Sequence, residues 1–225
     1  MELYSSEWAD NHERLADAGI PVREGLYRIC ETAFRRLPQN AKILIVGCGT
    51  GVELIRLAKA LPTATFVALD SAQPMLDFCV RQVEAKGLTH RVQFHSGAVD
   101  SLEHESPFDA ATAILVSQHL ANDAEAARFF TQISQRLKPS GCLYSADLHI
   151  PSDQNRDRMI DLWREQAVMS GVEASIIQNI TARFGIDLRV RDEEAIAHLL
   201  HTAGLALSLK PFSSLLYGAW LSQKT

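Results

Sequence analysis

The chain has 225 residues, 47% of them apolar, enough to bury one sizeable core, and a single domain is the default expectation. Its 22 basic and 27 acidic residues leave a net charge of −5, a sign that does not draw phosphate backbones. Lys and Arg form no local cluster, so nucleic acid is disfavoured as a partner. Cys30, Cys48, Cys79 and Cys142 lack metal-type spacing and lie in or beside apolar segments, the pattern of reduced, mostly buried thiols. No metal constellation is evident among the scattered histidines. The first seven residues are polar and acidic rather than a secretory leader, and no apolar run nears the ~18 residues that span a bilayer. A soluble, cytoplasmic protein is expected.

Residues 1–37 carry apolar steps of three and four: Trp8, Leu15 and Ala18, then Leu26, Ile29, Cys30, Ala33, Phe34 and Leu37. Gly19-Ile20-Pro21 interrupts them, which predicts two helices ahead of any sheet. From residue 42 onward strands and helices alternate, as in a doubly wound parallel sheet. Strands are predicted at 42–46, 65–69, 91–96, 108–116 and 141–148, with helices near 51–61, 72–86 and 122–137. Pro74 suits the first turn of the second of these helices, and Asn122 is placed to cap the third. Lys138-Pro139-Ser140-Gly141 reads as the stop of that helix. A polar helical stretch follows from about 153 to 184, then a helix near 191–202 and a stop at Gly204. Strands near 205–211 and 214–223 are too close in sequence for a crossover, so they should pair as an antiparallel hairpin at a sheet edge. The expected organisation is one domain: a helical lid at 1–40, a core at 41–150, a helical insertion at 151–188, and a last helix with the hairpin at 189–225.

Chemistry concentrates where the first strand, Ile43-Leu44-Ile45-Val46, runs into Gly47-Cys48-Gly49-Thr50-Gly51 and the second ends on Asp70. Glycines at a strand-to-helix turn let a ligand approach the backbone closely. A carboxylate at the end of the neighbouring strand can accept hydrogen bonds from both hydroxyls of a ribose. A nucleoside-containing cofactor across the strand ends is the reading that joins the two. The dinucleotide fingerprint wants a small residue where Val52 stands, which disfavours a nicotinamide-dependent oxidoreductase. No Lys-Ser/Thr pair follows the glycines, which excludes a P-loop.

The G-x-G-x-G turn, Asp70 and the terminal hairpin together resemble the class I S-adenosylmethionine-dependent methyltransferases, over about residues 40–223. The resemblance implies an α/β fold with a doubly wound, seven-stranded, mostly parallel sheet ending in an antiparallel hairpin. It implies S-adenosyl-L-methionine as cofactor, with Gly47, Cys48, Gly49 and Gly51 around its methionine portion and Asp70 and Ser71 at its ribose. Met75 matches the wall on the adenine side. The family usually has Gly-Asp after the third strand, where this chain has Gly97-Ala98; Ala98 cannot accept from the adenine amino group, which leaves the Val99 amide as a contact. Ile114 and Leu115 end the fourth strand, where the transferred group would sit. His119 is the candidate general base, weighed against a packing role, because methyl transfer from a sulfonium can proceed by alignment alone. The Asp/Asn-Pro-Pro-Tyr/Phe signature of amino methylation on DNA bases is missing.

The architecture is also similar to carboxy-S-adenosylmethionine synthase, through Gly19-Ile20-Pro21, Ser117-Gln118-His119-Leu120, Ile176-Ile177-Gln178 and Phe212-Ser213-Ser214-Leu215. That family needs an Asn at the position of Ile114 and an Arg near Thr181, with Arg183 here close but shifted, and a Tyr where this chain has Val22-Arg23. The resemblance therefore implies shared architecture without the shared reaction. Methyl transfer to a small or medium-sized acceptor is expected. The alternatives are a cofactor-modifying enzyme and a non-catalytic cofactor-binding module, and a homodimer is compatible with the sequence. Trp8, Arg23, Tyr27, Trp163 and Arg183 are candidates to line the acceptor pocket.

Overall fold

The computed structural model describes residues 16–102, 107–150 and 155–225, without the side chains of residues 207 and 208. Trp8 and most of the first expected helix lie outside the described residues; a helical turn at 16–19 opens them. The chain then forms α1 (Arg23–Phe34), β1 (Lys42–Val46), α2 (Val52–Ala60), β2 (Thr65–Asp70), α3 (Gln73–Ala85), β3 (Val92–Ser96) and β4 (Phe108–Ile114). It continues through α4 (Asp123–Arg136), β5 (Leu137–Leu148), α5 (Arg156–Met169), α6 (Ala174–Ala182), α7 (Glu193–Thr202), β6 (Leu205–Ser214) and β7 (Tyr217–Lys224).

The strands make one seven-stranded sheet in the order β3-β2-β1-β4-β5-β7-β6. Pairings among β1 to β5 are parallel, while β7 runs antiparallel between β5 and β6. The chain leaves β1 towards β2 and β3, then returns to the other side of β1 with β4. That reversal opens a crevice beyond the carboxyl ends of β1 and β4, the place where open α/β sheets receive ligands.

Side chains alternate across the buried β1: Ile43 and Ile45 face one core with Leu54, Leu57 and Leu76 from α2 and α3. Leu44 and Val46 face the other with Phe130, Ile133, Ile196 and Leu199 from α4 and α7. Both faces are covered, so the strand reads as a continuous apolar run. Local chemistry starts the helices. Asn122 Oδ1 accepts from the Glu125 amide at 2.9 Å ahead of α4, Asp192 Oδ1 accepts from the Ala195 amide at 2.9 Å ahead of α7, and Pro74 sits in the first turn of α3.

Several boundaries differ from the sequence expectation, among them the hairpin, where β6 runs on to Ser214 and β7 starts only at Tyr217. β4 stops at Ile114 rather than 116, because Leu115 turns to φ 61. β5 begins at Leu137, with Lys138-Pro139-Ser140 inside it: the ladder to β4 jumps from Phe108–Leu137 to Ala110–Cys142, and Ser140 takes φ 62 in the irregular stretch. Pro139 is accommodated by that irregularity, where a regular ladder would miss its N–H. The insertion is two helices, parted at Gly171 with φ 86. Trp163 Nε1 on α5 donates to the Gly19 carbonyl at 2.7 Å, and Gln166 Nε2 donates to that of Ala18 at 3.1 Å. Among the described residues, no helix is long and apolar enough to cross a membrane.

Candidate functional site

A cleft of about 850 Å³ opens at the carboxyl ends of β1, β2 and β4. Its floor is the glycine turn. The Gly47 and Cys48 amides both donate to the Leu69 carbonyl at 2.9 Å, which stitches the turn to β2. Gly47 has φ 70, and a Cβ added there would lie 2.5 Å from Val116 Cγ2, so glycine lets the turn press against the strand-end loop after β4. A Cβ at Gly49 would meet little of the protein, Met75 Cε at 3.7 Å being its nearest neighbour.

Asp70 is nine-tenths buried at the end of β2. Its Oδ2 accepts from the Gly49 amide and its Oδ1 from the Ala72 amide, both at 2.9 Å. Ala72, not Asp70, holds the N-cap position of α3. The carboxylate thus fastens the glycine turn to the entry of α3, beside the cleft it lines.

Ser71 and the buried Met75 line the same cleft, as do Ala98, Val99, Ile114 and Leu115. Gly51 is the exception among the residues expected around the cofactor. It stands behind the lining at the N-terminus of α2, and a Cβ there would come within 2.8 Å of Cys79 Sγ; its role is the close packing of the turn on α3. Asp100 is exposed and also lines the cleft. Leu115 holds the left-handed conformation while its amide donates to the Ala146 carbonyl at 2.6 Å. A non-glycine residue there costs about 1 kcal/mol, set at the strand end where the reacting group of a ligand would sit.

His119 lies exposed on the rim, on the short 3₁₀ turn Ser117–His119. Arg23, Tyr27 and Arg183 line the cleft. Arg23 NH1 donates to Asp17 at 2.7 Å and NH2 donates to the Tyr27 hydroxyl at 2.9 Å, while Arg183 Nε donates to both Asp187 oxygens at 3.0 and 2.9 Å. Trp163 is not a lining residue: it is 2% exposed and tied to Gly19, so it underpins the wall instead.

Two buried carboxyls escaped the sequence reading. Glu53, in the first turn of α2, lines the cleft and accepts from Thr112 Oγ1 at 2.5 Å through Oε1. Burial pushes its pKa up to about 8, against the opposing pull of the Thr112 hydrogen bond and the Arg23 charge. Asp147 on β5 accepts from Ser117 Oγ at 2.8 Å, and burial pushes it up to about 7 despite that bond and the nearby Arg191 guanidinium. Arg191 also donates from Nε to Asp123 at 2.9 Å and from NH1 to the Ser117 carbonyl at 3.2 Å. Gln118 Oε1 accepts from the Leu148 amide at 2.9 Å, so the turn carrying His119 is held from β5 and from residue 191 together. A carboxylate inside the apolar run Leu143–Leu148 was the available signal for Asp147.

The family described as the methyltransferase domain matches residues 43–141, the stretch that supplies the glycine turn, Asp70 and the strand-end loop. Over those residues the chain is similar to the class I S-adenosylmethionine-dependent methyltransferases. A putative methyltransferase of Geobacillus sp. is 36% identical over 107 residues, which span 47% of this chain and 42% of that protein. A malonyl-[acyl-carrier protein] O-methyltransferase of Halalkalibacterium halodurans is 32% identical over 105 residues, 45% of this chain and 36% of that protein. These likenesses cover less than half of either relative. In fold, an O-methyltransferase family protein of Burkholderia thailandensis superposes over 97% of this chain and 58% of its own, with a TM-score of 0.70 at 17% identity. The [4+2]-cyclase SpnF superposes over 97% of this chain and 94% of its own, with a TM-score of 0.68 at 17% identity. The same scaffold thus carries proteins named for different reactions, and the site must decide among them.

Proposed function

We propose that the protein transfers the methyl group of S-adenosyl-L-methionine to a small or medium-sized acceptor. The observation that carries this reading is Asp70, locked by the Gly49 and Ala72 amides at the edge of a glycine turn that opens into the cleft. Asp70 would accept from the ribose hydroxyls, with Ser71 beside it. Met75, Ala98 and the Val99 amide would flank the base, and Gly47, Cys48 and Gly49 the amino-acid portion. When bound, the cofactor supplies an electrophilic sulfonium methyl, so the chain's own task is mainly alignment and exclusion of water. Ile114 and Leu115 form the apolar ledge for that alignment. His119 stands at the rim as acceptor for a proton that the acceptor molecule must lose. Arg23, Tyr27 and Arg183 would face the acceptor.

The test is a thermal-melting panel with S-adenosylhomocysteine and NAD. A ligand at 100 times its dissociation constant adds about 2.7 kcal/mol, which raises the midpoint of a chain this size by about 5–10 °C. S-adenosylhomocysteine is expected to give that rise and NAD none. A rise with NAD alone overturns the reading. Mass spectrometry of the copurified ligand then separates an unmodified cofactor from a modified one.

A further inference from the structure

Glu53 is a buried cleft residue with no task in methyl transfer. It is 7% exposed, and its hydrogen bond from Thr112 Oγ1 occupies Oε1. Oε2 has no hydrogen-bond partner among the described residues, although the side chain belongs to the cleft lining. The groups within electrostatic reach come from every neighbouring element: Arg23 and Cys30 on α1, Cys48 in the glycine turn, Thr112 on β4 and Tyr144 on β5. Burial pushes the Cys30 thiol and the Tyr144 phenol up, and the bond from Cys79 together with burial does the same to the Cys48 thiol. All three stay neutral around pH 7, and Arg23 is the charged group of the set, itself bonded to Asp17 and Tyr27. A carboxyl so enclosed, with one oxygen open to a ligand cleft, suits a cationic partner that arrives with the ligand.

We propose that Glu53 is the ammonium-binding group of the cleft: its open oxygen takes the α-ammonium of the ligand's amino-acid portion, and its carboxyl releases a proton to solvent as that ion pair forms. The inference rests on the methyltransferase reading, which puts the amino-acid portion of the nucleoside at the Gly47–Gly49 turn, next to the first turn of α2. The balance is simple. A neutral carboxyl and an ammonium go in; a carboxylate–ammonium pair and one aqueous proton come out. Burial favours the protonated acid before the ion pair forms, with a value of about 8, so most of the protein has a proton to release when binding is measured at pH 7.

S-adenosylhomocysteine carries the α-ammonium but no sulfonium, and 5′-methylthioadenosine carries neither. Calorimetric titration of the intact protein at pH 7, in two buffers of different ionisation enthalpy, counts the protons released. Close to one proton is expected per S-adenosylhomocysteine and none per methylthioadenosine. Glu53→Gln keeps the volume and an acceptor for Thr112; it is expected to abolish the release and weaken S-adenosylhomocysteine at least tenfold, with methylthioadenosine within twofold of the wild type. Binding of S-adenosylhomocysteine without proton release overturns the assignment and leaves the methyltransferase reading standing. An equal loss of both ligands in Glu53→Gln makes the residue structural and overturns it too. Failure of the wild type to bind either nucleoside overturns the inference and the reading together.

Discussion

Asp147 is a carboxyl completely enclosed on β5, one oxygen on Ser117 Oγ and the other without a hydrogen-bond partner. Its pKa near 7 lies above the ordinary 3.8 because burial disfavours the charged form more than Ser117 and Arg191 favour it. The folded chain therefore keeps this proton at pH values where the unfolded chain has lost it. Its contribution to stability is full below the ordinary value, declines as pH rises, and is gone above the folded value. Asp147→Asn is neutral throughout and removes that dependence. Between pH 5 and 8 the thermal midpoint of the wild type is expected to drop relative to the variant, by about 2–4 °C for each kcal/mol involved. Parallel curves for the two proteins would refute the assignment. Neither Asp147 nor Glu53 is marked by a motif. Each becomes a site feature only when the fold brings it to partners on other elements, Thr112 of β4 for Glu53 and Ser117 of the 3₁₀ turn with the nearby Arg191 for Asp147.

Elements with a strong local cause were the legible ones. The apolar run of β1, the glycine turn and the capping residue Asn122 act within a few positions of themselves, and the structure has each where local chemistry put it. Asn122→Ala removes the acceptor of the Glu125 amide at the start of α4 and is expected to cost about 1 kcal/mol. Chemical denaturation should show this as a lower midpoint with an unchanged slope; an unchanged midpoint would mean that Glu125, whose Oε2 accepts from the Ala121 amide, holds the turn alone. The start of β5 was not legible, since Pro-Ser-Gly is a stop in isolation. What extends the strand to Leu137 is its partner Phe108, a contact set by tertiary pairing. The glycine turn was likewise legible as a turn, but not in its division of labour. Gly47 makes room for Val116 and Gly51 for Cys79, side chains supplied from far along the chain.

At the scale of the whole molecule, the cleft has a rigid side and a tethered side. Strand ends and the glycine turn belong to the sheet, whereas Ala16, Arg23 and Tyr27 come from the segment ahead of β1. That segment is held by α5, through Trp163 to the Gly19 carbonyl and Gln166 to that of Ala18, and by Tyr144, whose hydroxyl donates to the Leu26 carbonyl at 2.9 Å. The parallel, doubly wound character of the sheet could be read from alternating strands and helices, but these tethers join residues too distant in sequence for any periodicity to reveal. Trp163→Phe keeps most of the ring and deletes its N–H, leaving the Gly19 carbonyl without that donor in a buried setting. The expected cost is about 1–3 kcal/mol of stability. A second effect should accompany it if the segment helps to enclose the cofactor: at equal S-adenosylhomocysteine concentration, the ligand-induced rise in melting temperature becomes smaller than in the wild type, because affinity falls with the loosened wall. Asp192→Ala, which removes the cap of α7, a helix with no residue in the cleft lining, serves as the control and should retain more of the rise. Equal ligand-induced rises in all three proteins would show that α5 steadies the fold without shaping the cleft.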